Sequence, residues 1–284
     1  LGSTLRAEIG ISGFQLYSLK GLALDACGTK TVDYAEMVVG SPGIDGLLET
    51  KRALYSEAPW REVRGTLTEV GGAPLAGALI HATAADGHYL SRTITDATGA
   101  YVIHVPPGDA QLTPTLKGWA VPPATPAPAA AATVALTLPK PATLSVDVTE
   151  DAALGGGPLP ARVQVIPTTP VAAPPAAFGI TDREEKDRLW NEFAITGHLD
   201  LPVPPGQHRV IVTRGYEYEL YDTTATATEG TTTNIATSLV HRVASTGVMC
   251  AGLDIHSHYS ADSPDEPELK VRGAVADGLD IPVS

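Results

Sequence analysis

Two stretches, GGAPLAGALIHAT at residues 71–83 and GGGPLPARVQVIP at residues 155–167, carry the same signal. Each begins with glycines and a Pro-Leu pair, then alternates apolar residues with polar or small ones. A second signal recurs further along each copy: HVPPGDAQLTPTLKG at residues 104–118 and PVPPGQHRVIVTRG at residues 202–215. Two signals in the same order define a tandem repeat. ALIHATA and ARVQVIP have the period of two that marks a half-buried strand. Pro fixes φ and Gly adopts conformations other residues avoid, so VPPG predicts a tight turn. TITDATGAYVIHV places a turn at residues 96–99 between two strands, which predicts a hairpin.

These spacings predict a mainly β fold with two tandem antiparallel β-sandwich modules, Ig-like or transthyretin-like, at residues 64–139 and 140–246. The proline- and alanine-rich VPPATPAPAAAATV predicts an extended loop or strand lead-in. TDREEKDRLW, residues 181–190, offers Thr181 as an N-cap with Glu184 three residues on, which predicts a short surface helix inserted in the second module. Residues 1–63 read as the strand-rich tail of a preceding domain, with a short helix around Ile44, Leu47, Leu48 and Leu54.

The 284 residues suffice for two or three domains, and the 43% hydrophobic content supports buried cores. A formal charge of -13 leaves no surplus of Lys and Arg to neutralise phosphates, which argues against a nucleic-acid partner. No apolar run reaches the roughly 20 residues of a membrane span. The two cysteines, Cys27 and Cys250, allow one disulfide or two free thiols. With Leu1 first and no signal segment following, the chain reads as a processed or excised piece of a secreted, periplasmic or cell-surface protein.

After the second module the pattern changes. VMCAGLDIH is an apolar run of strand length, SPDEPELKVRGAVADG predicts a helix with acidic residues in its first turn, and LDIPVS begins another strand. Strand, helix and strand over residues 247–284 predict a parallel βαβ unit, whose functional residues collect at the carboxyl ends of the strands. His256 and His258 fall there. On an extended segment both imidazoles point one way, and with Asp254, Asp262 or Asp265 they form a candidate site for Zn, Mn or Fe. The remaining histidines, His81, His88, His104, His198, His208 and His241, read as core or surface residues, although His81 and His104 are within reach across neighbouring strands. TRGYEYELYD, residues 213–222, alternates aromatic and acidic residues and is a candidate to line a sugar site.

Two resemblances follow from these residues. Residues 64–108, with their G-x-P-L-x-G-A turn, T-D-A-x-G-x-Y and V-P-P-G, resemble the carboxypeptidase regulatory-like, transthyretin-like sandwich. That likeness implies a spacer, chaperoning or carbohydrate-binding module. LDIHSHYSADSPDEPELKVRGAVADGLDIPV, residues 253–283, resembles the first motif of the PHP metallohydrolases, and with the sandwich ahead of it the CehA/McbA-like type. This resemblance implies that His256, His258 and Asp262, supported by Asp254, are metal ligands at the start of a PHP-type (β/α) barrel, with Asp265 as the alternative to Asp262. It implies a phosphoesterase-like hydrolase whose multi-metal cluster activates water. The rest of the barrel would come from the remainder of the polypeptide or a C-terminal companion fragment, and the chain alone would be inactive. The competing expectation is a non-enzymatic β-sandwich protein that binds carbohydrate or protein.

Overall fold

The computed structural model describes residues 5–10, 13–18, 25–29, 31, 38–168, 175–179, 189–253, 255–260, 263 and 265–283. The helix expected at residues 181–190 lies almost wholly outside them, as do Asp254 and Asp262. The chain is mainly β. Strands β1 (Leu5–Gly10) and β2 (Gly13–Ser18) pair antiparallel, and helix α1 (Gly43–Leu54) follows.

The first sandwich contains β3 (Arg61–Glu69), β4 (Leu79–Ala84), β5 (Tyr89–Ile94), β6 (Ala100–Val105), β7 (Ala110–Thr115), β8 (Thr125–Ala127) and β9 (Leu136–Leu138). The second contains β10 (Ala142–Glu150), β11 (Ala161–Pro167), β12 (Trp190–Ala194), β13 (His198–Val203), β14 (Gly206–Thr213), β15 (Tyr221–Ala227) and β16 (Thr232–Leu239). Their sheet orders match strand for strand. The small sheets run β6-β3-β9 and β13-β10-β16, the large ones β5-β4-β7-β8 and β12-β11-β14-β15. The sequence repeat is thus a repeat of topology.

Alternation builds each core. Tyr101, Ile103 and Val105 of β6 point inward, as do Ala161, Val163 and Val165 of β11. They meet the facing sheet in two separate apolar clusters, one per module.

Two expectations are corrected. The modules are not purely antiparallel: β9 runs parallel to β3, and β16 parallel to β10. The last strand of each module returns beside the first after the chain has crossed between sheets. Nor does the turn at residues 96–99 close a hairpin. β5 pairs with β4 and β6 with β3, so the turn carries the chain from one sheet to the other.

The cause is local. The Asp96 carboxylate accepts from Thr98 N at 2.8 Å, Thr98 Oγ1 at 2.7 Å and Ala100 N at 3.0 Å. These bonds, the Thr98 side chain's first, hold its pKa below the usual carboxylate value. Gly99, at φ 76°, then tucks against β3: Leu67 N donates to Gly99 O at 2.8 Å, and a Cβ on Gly99 would lie 2.5 Å from Leu67 O. The second module repeats the contact, with Val148 N donating to Gly197 O at 2.7 Å and Gly197 at φ 80°.

Helix α1 docks on β5 and β6 of the first sandwich. Asp45, only 6% exposed, accepts from Ser91 Oγ at 2.7 Å, from His104 N at 3.1 Å and from His104 Nδ1 at 2.7 Å. One carboxylate therefore ties the helix to strands of both sheets. His81 lies elsewhere, sealed between Tyr89 and Thr115, so the two histidines do not form a pair.

The modules interlock. Phe178, from the insertion in the second module, stacks flat on His81 of the first at 4.1 Å between ring centroids. Lys117 Nζ sits 4.0 Å above the Trp190 ring, and Trp190 Nε1 donates to Pro202 O at 2.7 Å. Burial lowers the His81 pKa from 6.5 to about 4, with a smaller contribution from Arg92; burial lowers that of His208 as well.

Two predictions follow from this packing. Gly99→Ala and Gly197→Ala will each destabilise the protein by about 2–4 kcal/mol, since strain at positive φ adds to a steric conflict. Gly87→Ala, at φ 86° with open space around it, will cost about 1–2 kcal/mol in the same denaturant titration. Equal costs at all three positions would refute the carbonyl contact as the constraint. The second prediction concerns acid. Below pH 6.5 the unfolded chain protonates His81 while the folded chain resists until about 4, so stability falls as pH drops through that window, by up to about 3 kcal/mol. His81→Gln will lose less stability than the parent between pH 7 and pH 4.5; equal losses would contradict the assignment.

Candidate functional site

Beyond the second sandwich the chain forms β17 (Ala251–Gly252), α2 (Pro267–Ala276) and β18 (Ile281–Pro282). The two short strands pair in parallel across the helix, with Val283 N donating to Gly252 O at 2.8 Å and Ile255 N to Val283 O at 3.0 Å. Helix α2 starts with Pro267 in its first turn, where the missing N–H costs nothing. It is shorter than the run over residues 263–278 that the sequence predicts.

His256, Ser257 and His258 lie beyond the carboxyl end of β17, which is shorter than the strand expected over residues 248–256. The extended alternation stops at His258, which opens a turn: Ser260 N donates to Ser257 O at 2.7 Å, and His258 N to Asp265 O at 2.7 Å. His256 is half-buried, Ser257 is buried, and His258 faces outward with Nδ1 2.9 Å from Glu266 Oε2. The Asp265 carboxylate takes Lys270 Nζ at 2.7 Å. His258 and Asp265 thus meet through their backbones, and Glu266, which the sequence reading did not single out, is the side-chain partner of His258. Among the described residues no three ligating side chains converge on one point. Asp254 and Asp262 lie outside those residues. The donor types suit a borderline divalent cation, but the described side chains alone do not make a closed site. Cys27 and Cys250 are free and exposed.

A second feature lies at the opposite, amino end of the same two strands. The turn after β14 and the loop after α2 enclose a cleft of about 390 Å³ lined by Arg214, Tyr216, Glu217, Tyr218, Cys250 and Asp280, among others. Its walls are locked together. Arg162 and Asp277 form a two-pronged ion pair, with Nε to Oδ1 at 3.0 Å, and Arg214 donates to Pro160 O at 2.7 Å and Val275 O at 3.0 Å. Gly215, at φ 56°, lies so close to Asp277 that a Cβ there would stand 2.3 Å from its carbonyl oxygen. Phe193 packs on Gly273 of α2 and under the Arg162 guanidinium.

The aromatic-acidic stretch at residues 213–222 supplies one wall, but its members differ. Tyr216 is 98% exposed, whereas Tyr218 donates to Glu150 Oε1 at 2.9 Å and its ring lies 4.8 Å from that of His241. Arg209 and Asp222 pair with each other across neighbouring strands. Sequence reasoning missed the other wall, Asp277 to Asp280, because nothing local links it to residues 213–218. The one available signal was the pair of glycines, Gly215 and Gly278, at turns that later meet.

A search of the curated proteins found no match. Among solved structures, the chain is similar to the Bacillus anthracis TIE protein at 14% identity, covering 64% of this chain and 34% of that one, with a TM-score of 0.27. It is similar to a streptococcal ancillary pilin at 12% identity, covering 64% and 62%, with a TM-score of 0.33. It is also similar to GBS52, the minor pilin of Streptococcus agalactiae, at 11% identity, covering 69% and 99%, with a TM-score of 0.32. The chain spans about a third of the first of these proteins and under two thirds of the second. At such scores the likeness carries no argument about function. Residues 62–149 match the model of the carboxypeptidase regulatory-like domain, which covers the first sandwich and ends within β10.

Proposed function

We propose that this chain is a non-enzymatic binding and positioning unit of a secreted, periplasmic or cell-surface protein, in which two joined sandwiches hold a carbohydrate or protein ligand. The observation that carries this reading is the joint between modules. Phe178 is 3% exposed and stacked on His81, and Lys117 lies over Trp190, so the two sandwiches meet at a packed joint. Modules joined in advance lose less freedom when a ligand binds across them. The carboxypeptidase regulatory-like domain at residues 62–149 supports the same reading.

The test is binding of the intact chain to immobilised polysaccharides and extracellular matrix proteins, with and without a chelator. Binding is expected to survive chelation and the substitutions His256→Ala and His258→Ala. Loss of binding under either condition, or no binding to any polymer, would overturn the reading.

A second reading is favoured by the βαβ unit. Parallel strands are normally covered on both faces, yet Leu253 is 75% and Ile281 42% exposed beside this two-stranded pair. A unit of this kind belongs to a larger α/β layer, and groups just past the carboxyl ends of its strands are placed for chemistry. In this reading the chain is the accessory portion of a PHP-type metal-dependent hydrolase, with His256 and His258 as ligands, Asp254 supporting them, and Asp262 or Asp265 completing the set from this chain. Calorimetric titration of the metal-free chain with Zn²⁺ and Mn²⁺ separates the two. The hydrolase reading expects one saturable site that weakens at least about tenfold in His256→Ala. Heat changes identical in the parent and the variant would sink it.

A further inference from the structure

The cleft at the junction of the second sandwich and the βαβ unit is not part of the histidine site, which lies at the other end of β17. Its volume of about 390 Å³ falls in the range of small-molecule sites, about 300–1,000 Å³. Its shape does not depend on a ligand to organise it, since the Arg162–Asp277 pair, the two carbonyl bonds of Arg214 and the close approach of Gly215 hold the walls in register. The polar groups define what fits. Arg214 spends its Nη1 on carbonyl oxygens, and Asp277 is taken by Arg162. Glu217 and Asp280 supply the remaining carboxylate oxygens of the cleft, with Glu217 Oε2 3.6 Å from His241 Nε2 and one Asp280 oxygen receiving Cys250 N at 2.8 Å. The lining is therefore rich in acceptors and negatively charged, on a chain of net charge -13. The three lining carboxylates outnumber the Arg214 guanidinium, which disfavours anionic ligands.

An organic cation would suit the charge, but selective recognition of one uses a cage of several aromatic faces. Here Tyr218 has its ring against His241 and its hydroxyl on Glu150, which leaves Tyr216, 98% exposed at the rim, as the open ring beside the cleft. One open aromatic face beside carboxylate acceptors matches a ligand with an apolar face and many hydroxyl donors.

We propose that this cleft binds a neutral saccharide, with the sugar's C–H face against the Tyr216 ring and its hydroxyls donating to Glu217 and Asp280. The proposal rests on the binding reading above and assigns it a place and a ligand class. Its test is calorimetric or NMR titration of the intact chain with cello-, malto-, xylo-, manno- and N-acetylated chito-tetraose, and separately with choline. One of the neutral tetrasaccharides is expected to bind saturably. Tyr216→Ala should weaken that binding by about tenfold, as loss of an aromatic contact does, while Tyr216→Phe keeps most of it. Tyr259→Ala, an exposed tyrosine on the histidine loop, should leave it unchanged.

Saccharide binding that survives Tyr216→Ala would overturn the cleft assignment and leave the broader binding reading standing. Choline binding that depends on Tyr216 would overturn the ligand class. No binding by any of the five sugars at about 10 mM, far above the affinity of a specific site, would overturn the proposal together with the carbohydrate half of that reading.

Discussion

Each sandwich turns on a glycine pressed beneath a strand carbonyl. Gly99 under Leu67 O and Gly197 under Val148 O hold the point where the chain leaves one sheet and enters the other. That contact ties the turn to β3 rather than to β5. With it, β6 is delivered to β3, the small sheet forms, and the last strand finds its place on the other side of β3 in parallel. The same logic delivers β13 and β16 to β10. Everything further along the chain is hung on these two frames.

The second frame carries the βαβ unit through one compact set of contacts. Arg162 on β11 and Arg214 after β14 reach Asp277 and Val275 at the end of α2, while Phe193 on β12 meets Gly273. The Arg162–Asp277 pair is part-buried and charge-assisted, so it constrains geometry more than an exposed pair such as Arg209 with Asp222. The junction cleft is a direct product of this arrangement. The histidine loop is not, because it lies past the far end of β17, where Glu266 and Lys270 hold its polar groups.

Legibility differed from element to element. Strands with inward alternation, such as β6 and β11, were readable because burial imposes a period of two on the residues themselves. Helix α2 and its parallel flanking strands were readable from Pro267, the acidic first turn and Gly278. His256 and His258 were singled out because two imidazoles one residue apart are a local pattern. The turn at residues 96–99 was found, but its role was misread. Its sequence specifies a tight reversal and says nothing of which sheet receives the next strand. Tyr216 was picked out with its neighbours, yet only the packing of Tyr218 on His241 distinguished the open ring from the closed one.

The sequence by itself determined the repeat, the strand periodicity, the turn positions and the change to a βαβ pattern after residue 246, because each of these is written in residues close along the chain. Tertiary structure decided the pairings and the joints. Asp45 meets Ser91 and His104, Phe178 meets His81, and the turn at Gly215 meets Asp277, across separations with no local signature. The physical reason is that periodicity follows from burying one face of a segment. Which faces meet is settled only when the apolar surfaces and the buried polar groups of the whole chain are satisfied together.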